Sequence, residues 1–304
     1  MKKNIRKFLY STTALVAVAF STIAVAGSVS DMADKDAQDK LPDWLKRIEV
    51  EGNFAADGKP AYSVMTVQPI SDEENSVIFN QSRVAYSTDG RTTANIGLGY
   101  RQLTNNQKIM LGVNAFYDHQ FPYGHQRSSY GAEVKSSAFE LNGNYYVANS
   151  GWRDADTIFE ERALDGHDVE IGAQLPYLPW AWGFVQNFYY DGKAGDDLEG
   201  MKYSLRLRPF KNIEFEGGHT STDETSDNNF VMARYRIGFN EPKYVSNVRK
   251  SGWVSSRAFE TGESMADRKL EKVRRSNEIT VERRVKSSAG GTGARASVIL
   301  ARGS

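Results

Sequence analysis

The sequence predicts an all-β protein, an antiparallel transmembrane β-barrel of roughly 10 to 12 strands. Three observations predict it. The chain opens with an export signal, no later apolar run has the length of a membrane helix, and segment after segment alternates apolar with polar residues at a period of two.

The export signal comes first. Lys2, Lys3, Arg6 and Lys7 precede an apolar stretch from Phe8 to Val25, and Ala24-Val25-Ala26 supplies the small residues that a signal peptidase needs. Cleavage is placed after Ala26, so residues 1–26 read as a signal peptide. The apolar run is near the lower limit for a spanning helix, and the small-x-small site favours cleavage over a retained anchor. The chain has no cysteine, which removes disulfide staples and thiol chemistry from an exported protein. Formal net charge is zero and makes no electrostatic case for nucleic acid. His119, His125, His167 and His219 show no close metal-ligand spacing, so neither a metal nor a cofactor is expected. Abundant Tyr, Phe and Gly suit a barrel, and the negative mean hydropathy is no objection when half of each strand faces a polar lumen.

Residues 27–46 are polar and acidic (Asp31, Asp34, Asp36, Asp39), with Pro42 and Trp44 near their end, and read as a periplasmic lead-in. The barrel is placed at 47–240. Ile48, Val50 and Phe54 alternate with Glu49, Glu51 and Asn53; Ala94, Ile96, Leu98 and Tyr100 with Asn95 and Arg101. The same period runs through Ile109–Tyr117, Phe139–Val147, Val169–Leu175, Tyr203–Leu207, Ile213–Phe215 and Val231–Phe239. Weaker candidates at 61–70, 75–87, 126–135 and 180–190 bring the count to 12. Each strand is about ten residues, the length a tilted strand needs to cross hydrocarbon. Thr104–Gln107 and Pro209–Lys211 read as tight turns, whereas 149–165, 192–199 and 222–228 read as longer polar loops. After Phe239 the alternation stops. Residues 240–266 look irregular, with Trp253 and Phe259 the large anchors; Met265–Arg275 reads as a basic helical turn or two; 278–285 alternates again; and 287–304 reads as a flexible Gly-, Ser- and Ala-rich tail.

Several segments then resemble one family, the inverse autotransporter β-domain of intimin and invasin. They are "NIGLGYRQL" at 95–103, "LGVNAFYDHQF" at 111–121, "SGWRD" at 150–154, "ERALDGHDVEIGAQLPYLP" at 161–179 and "VRRSNEITVERRV" at 273–285, and the resemblance spans roughly 45–286. It implies 12 strands in the outer membrane, with lipid, the barrel-assembly machinery and periplasmic chaperones as partners. It also implies that 241–286 form a lumen helix, within about Met265–Arg275, and an extended linker, about Ser276–Val285. In the family the linker emerges at the cell surface and carries adhesive immunoglobulin-like and lectin-like domains. Fewer than 20 residues follow Val285, far short of the ~100 of a sandwich domain, so those domains are expected to be absent here. The implied role is translocator and anchor for a C-terminal surface segment, linked to adhesion, with no receptor indicated. The alternative is a passive pore or a stand-alone structural barrel.

Glu49, Glu51, Asp118, Glu140, Asp168, Glu170, Arg206, Arg208, Glu214, Glu216, Arg234 and Arg236 are expected to face the lumen. Between Arg249 and Lys286 there are 11 Lys or Arg against 6 Asp or Glu, so an acidic wall would hold this segment as a plug. The plainer alternative is a wall that is polar because the lumen is wet. Trp180, Tyr189 and Tyr190 sit where an aromatic girdle would lie. Phe239, closing the last strand after Tyr235 and Ile237, resembles an assembly signal or continues the lipid face. Asp118 with His119, and Asp168 with His167, invite a catalytic reading, but neighbours in a strand point to opposite faces, so no enzyme is expected. The mature protein is expected to begin at Gly27, which mass spectrometry of the purified N-terminus checks.

Overall fold

In the computed structural model, which describes residues 41–55, 60–223, 227–286 and 297–299, twelve strands close into one barrel. In chain order the strands are β1 (Ile48–Ala55), β2 (Ala61–Asp72), β3 (Ser76–Ser87), β4 (Thr92–Thr104), β5 (Ile109–Phe121), β6 (His125–Ser136), β7 (Phe139–Ala148), β8 (Arg153–Asp154), β9 (Phe159–Ala163), β10 (Gly166–Leu175), β11 (Leu178–Tyr190), β12 (Leu198–Phe210), β13 (Ile213–Thr222), β14 (Asn228–Ile237), β15 (Val281–Val285) and β16 (Ser297–Ile299). All but β8, β9, β15 and β16 belong to the barrel, and each pairs antiparallel with its neighbours. Pairing of β1 with β14, from Ile48 opposite Ile237 to Ala55 opposite Phe230, leaves no free edge. The remaining four form a small sheet in the order β16–β15–β9–β8.

The barrel is inside out relative to a water-soluble one. Along β10, Asp168 and Glu170 are 1% and 3% exposed while Val169 and Ile171 are 47% and 49% exposed. Only lipid on the outside makes that arrangement favourable, because apolar side chains then leave water and charges gather where they can pair.

The inner wall carries a device that composition only hinted at. Gly97, Gly99, Gly166, Gly172, Gly200 and Gly218 lie directly across the ladder from Phe116, Phe79, Tyr190, Phe184, Phe188 and Phe230. Each ring lies over its glycine; a Cβ at Gly97 would come within 2.3 Å of the Phe116 ring. The flattened ring covers the bare backbone and leaves the lumen centre open to another segment.

Short turns gather at one rim, here called proximal, together with the start of β1 and the end of β14. The β4–β5 turn there uses three successive left-handed residues, Asn105, Asn106 and Gln107. The distal rim carries the longer connections. One helix, α1 (Lys243–Lys250), lies at the proximal mouth with Tyr244 and Val245 buried, and the Tyr244 hydroxyl donates to the Ser137 carbonyl at 3.2 Å.

Several expectations are corrected. The helix is α1, in the stretch expected to be irregular; Met265–Arg275 contributes only a single 3-10 turn, Ala266–Arg268. Residues 241–264 lie at the proximal mouth, so the segment inside the barrel begins near Met265. Positions 149–165 are no plain loop, since they hold β8 and β9. Phe239 is neither in β14 nor on the lipid face: Gly238, at φ 65°, turns the chain inward, and Phe239 packs with Met65, Val67, Val77, Phe79 and Val273. The Ala26 cleavage site and most of the 287–304 tail lie outside the described residues.

Gly97→Val is expected to destabilise the barrel by about 1–3 kcal/mol through overpacking against Phe116. Gly143→Ala, whose Cβ would meet nothing nearer than 3.9 Å, is expected to be neutral. Heat-modifiability on gels, read as the temperature of barrel unfolding, measures both.

Candidate functional site

The barrel holds a segment of its own chain. Residues 265–286 enter at the proximal rim, where the Met265 amide donates to the half-buried Gln107 carbonyl at 2.7 Å, pass through the 3-10 turn Ala266–Arg268 and run on, with bends at 271, 275 and 278, to the distal rim. An extended chain advances about 3.3 Å per residue, so ~30 Å of hydrocarbon needs about ten residues. Lys269 binds Asp72 at the proximal rim and Val281 pairs with Ala163 at the distal one, which matches that span.

Each cation of the segment meets carboxylates at its own height. Arg268 binds Glu140 and, at 2.7 Å, Glu271. Lys272 reaches Glu49 at 2.7 Å. Arg274 lies between Glu170 at 2.7 Å and Glu216 at 3.2 Å, with its guanidinium 4.0 Å from the Phe184 ring centre. Arg275 binds Asp118 at 2.6 Å over the Phe116 ring. The segment's carboxylates are paired the other way, Glu271 with Arg208 at 3.1 Å and Glu278 with Arg83 at 2.7 Å. Charges this deep persist only when paired, and removing one partner of such a pair costs about 3–5 kcal/mol. The flat aromatic faces add cation–π attraction to the same guanidinium groups.

Outside its turns such a segment leaves its peptide groups unpaired, and the wall supplies partners. Arg101 donates to the carbonyls of Lys269 and Glu271, both at 2.6 Å; Arg127 to Ser276 at 2.7 Å; Asn95 to Asn277 at 2.8 Å; and Asn144 to Arg274 at 3.1 Å. The Val273 amide donates to Gln81 and the Ser276 amide to the Tyr146 hydroxyl, each at 2.8 Å. Buried peptide groups without such partners would be costly.

The residues expected to face the lumen lie on the inner wall. Glu49, Asp118, Glu140, Glu170 and Glu216 bind the threaded segment directly. Glu214 lies 3.9 Å from Lys272 of the segment and, with Glu51, serves Arg234, which also reaches Glu216. Arg208 bridges Glu214 and Glu271; Arg206 binds Glu140 at 3.4 Å; Arg236 covers the Phe239 ring. Among the described residues Asp168 pairs with no cation: it accepts from the Tyr146 hydroxyl at 2.6 Å and from Asn144 at 2.8 Å, and so orients two groups that hold the segment. His119 and His167 face outward, away from Asp118 and Asp168, and pack on Phe121 and Tyr189. Of the expected girdle, Tyr189 faces out with its hydroxyl on Asp197 at 2.6 Å, and Trp180 sits at the proximal rim against Trp253. Tyr190 is a correction: it is 2% exposed and packs inside with Tyr146, Leu164, Phe188 and Leu198, because it has the parity of Phe188 and covers Gly166.

At the distal rim the segment becomes β15 and pairs along β9. The Glu282 carboxylate is received by the backbone amides of Lys193, Ala194 and Gly195 at 2.6–3.1 Å, a concave nest of donors. Arg284 lies over the Trp152 ring at 3.8 Å and binds Glu160 at 2.8 Å. Glu161, fully enclosed, accepts from Arg91 at 2.8 Å and from Arg283 at 2.5 Å, with His125 at 3.3 Å. Burial alone would push the Glu161 carboxyl up, but hydrogen bonds from His125, Arg91 and Arg283 outweigh it and hold the group at about 2.

Sequence reasoning missed Arg83, Arg101, Arg127, Asn144 and Tyr146 as lumen groups, although strand parity with Gln81, Asn95, Ser129 and Asn142 carried that signal. It also missed Glu160, Glu161 and the 193–195 nest. These sit in connections, where alternation gives no guidance.

A family model described as the inverse autotransporter β-domain matches residues 11–277. A putative attaching and effacing protein homolog of Escherichia coli K12 is 28% identical over 65% of this chain and 68% of its own length. The invasin of Yersinia enterocolitica is 29% identical over 61% of this chain, but the match spans only 24% of that protein. A solved structure from a study of in-meso crystallization of membrane proteins superposes with a TM-score of 0.63 at 22% identity, covering 78% of this chain and 99% of its own. That likeness concerns the fold.

The Glu161 cluster has a pH signature. Because its folded value lies below the ordinary 4.5, its stabilisation is fully present above about pH 4.5 and is lost as pH falls toward 2. A spin label at Val285→Cys, unique in a cysteine-free chain, is expected to gain mobility over that window. With Glu161→Gln the label is expected to be mobile already at neutral pH, without that acid step.

Proposed function

The chain belongs to the inverse autotransporter β-domain family, and from that premise we propose that its barrel leads a C-terminal segment to the cell surface and then holds it there. It is an outer-membrane β-barrel. Residues 1–26 direct export, 27–46 form the periplasmic lead-in, and the proximal rim faces the periplasm. The chain after Val285 then leaves at the distal rim, outside the cell. The observation that carries this reading is the threading of 265–286, with a carboxylate at each height for each cation and a strand-to-strand dock at the exit.

The pairing supports an anchor that seals as it holds. A segment matched to the wall by charge and backbone hydrogen bonds resists withdrawal, and it fills the route that a passive pore would need open. Assembly depends on the barrel-assembly machinery and periplasmic chaperones, and the protein is not an enzyme. The names of the relatives tie those proteins to attachment and invasion; for this chain, presentation of an adhesive segment is part of the proposal.

An epitope placed after Ser304 is expected to be cleaved by protease on intact cells. Single-channel conductance of the full chain is expected to be low, and to rise in Glu170→Lys/Glu216→Lys, which sets two cations against Arg274. An epitope reached only after the outer membrane is breached, together with high conductance of the unaltered protein, would replace the anchor with a pore.

A further inference from the structure

Between α1 and the threaded segment, residues 251–260 form a strap that turns apolar side chains outward. Trp253, Val254 and Phe259 are 38%, 60% and 44% exposed, and Phe210 beside them is 53% exposed. The strap is held firmly. The Tyr177 amide donates to the Ala258 carbonyl at 2.7 Å, the Ser255 amide to the Tyr177 carbonyl at 2.8 Å, and the Trp180 indole to the Trp253 carbonyl at 2.8 Å. Gly252 and Trp253 are both left-handed, at φ 116° and 74°. A tryptophan is disfavoured there by its own Cβ, so the surroundings hold the ring in place. That ring meets Trp180 and Phe210 edge-on, at centroid distances of 5.8 and 5.9 Å. Phe210 pairs with Ile213, which shares the outward row of Phe215, so the aromatic cluster continues the barrel's lipid face around the proximal rim.

Charge lies beside it. Between residues 242 and 259 the sequence has four cations, Lys243, Arg249, Lys250 and Arg257, and no carboxylate. Arg249 pairs with Glu241, and Arg257 with Glu260 and Glu263. Lys243, Asn247 and Lys250 are exposed and share one stripe of α1, three and four residues apart. A rigid aromatic cluster continuous with a lipid-facing wall, flanked by outward lysines, is the pattern of an interfacial anchor on an anionic surface.

We propose that α1 and the 251–260 strap bind anionic phospholipid headgroups at the proximal rim, with Trp253, Val254 and Phe210 in the interface and Lys243 and Lys250 on the phosphates. That this is the periplasmic leaflet rests on the topology proposed above; the binding itself does not, so vesicles test it separately. The full chain is folded into vesicles of phosphatidylglycerol and phosphatidylcholine, with a spin label at Val254→Cys. The label is expected to collide more with oxygen than with a water-soluble nickel chelate. Energy transfer from tryptophan to a labelled phosphatidylglycerol is expected to exceed transfer to labelled phosphatidylcholine. Lys243→Gln/Lys250→Gln is expected to remove that preference, about fivefold per lysine, while leaving the label's depth unchanged. A label at 254 that favours the nickel chelate would overturn the proposal, since the strap would then face water. Interfacial depth with equal transfer from both lipids would overturn it too, reducing the surface to an aromatic girdle without headgroup selectivity.

Discussion

A peptide chain enclosed in a barrel has only the wall to bond with. A helix would carry its own hydrogen bonds, but most of the threaded segment is neither helix nor strand, so its buried amides and carbonyls depend largely on side-chain partners. Arg101, Arg127, Asn95, Asn144, Gln81 and Tyr146 supply them. The rest of the architecture follows from that requirement. Glycines faced by flattened rings keep the lumen centre clear, and the wall's carboxylates neutralise the cations that the segment brings in.

The same arrangement sets the register of the segment. Arg274 and Arg275 are adjacent in the chain yet meet different walls, one Glu170 and Glu216, the other Asp118. A slip of one residue would present each to the wrong side and strand buried charges, at a cost of several kcal/mol per broken pair. Charge pairing thus acts here less as net stabilisation than as a device for choosing one position along the lumen. The exit reinforces it, because β15 adds to β9 in a fixed ladder and Glu282 fits a nest of three amides.

The inverted wall and the proximal strap reflect one principle acting on two sides. Inside, ionic groups are favoured because they find partners; outside, aliphatic and aromatic groups are favoured because they find lipid. Residues at the boundary are mixed in character. Tyr189 presents its ring outward and its hydroxyl to Asp197, whereas Tyr190, one residue on, turns inward to cover Gly166. Adjacent tyrosines with opposite fates are a consequence of the two-residue period and nothing else.

How much was legible follows from the range of each signal. Alternation such as Asp168-Val169-Glu170-Ile171 determined the strands, their faces and the membrane setting, because a two-residue period is local and lipid reverses the usual burial. The excess of basic residues after Arg249 likewise carried the idea of a plug against acidic strands. The tertiary structure alone decided which carboxylate meets which cation, since Arg274 and Glu170 are 104 positions apart and nothing in either neighbourhood names the other. It alone placed the helix at Lys243–Lys250, where packing of Tyr244 and Val245 on the barrel mouth stabilises one that the local pattern did not announce. It turned Phe239 inward through Gly238 and made a polar loop into β8 and β9. These outcomes depend on surfaces that exist only after the barrel has closed.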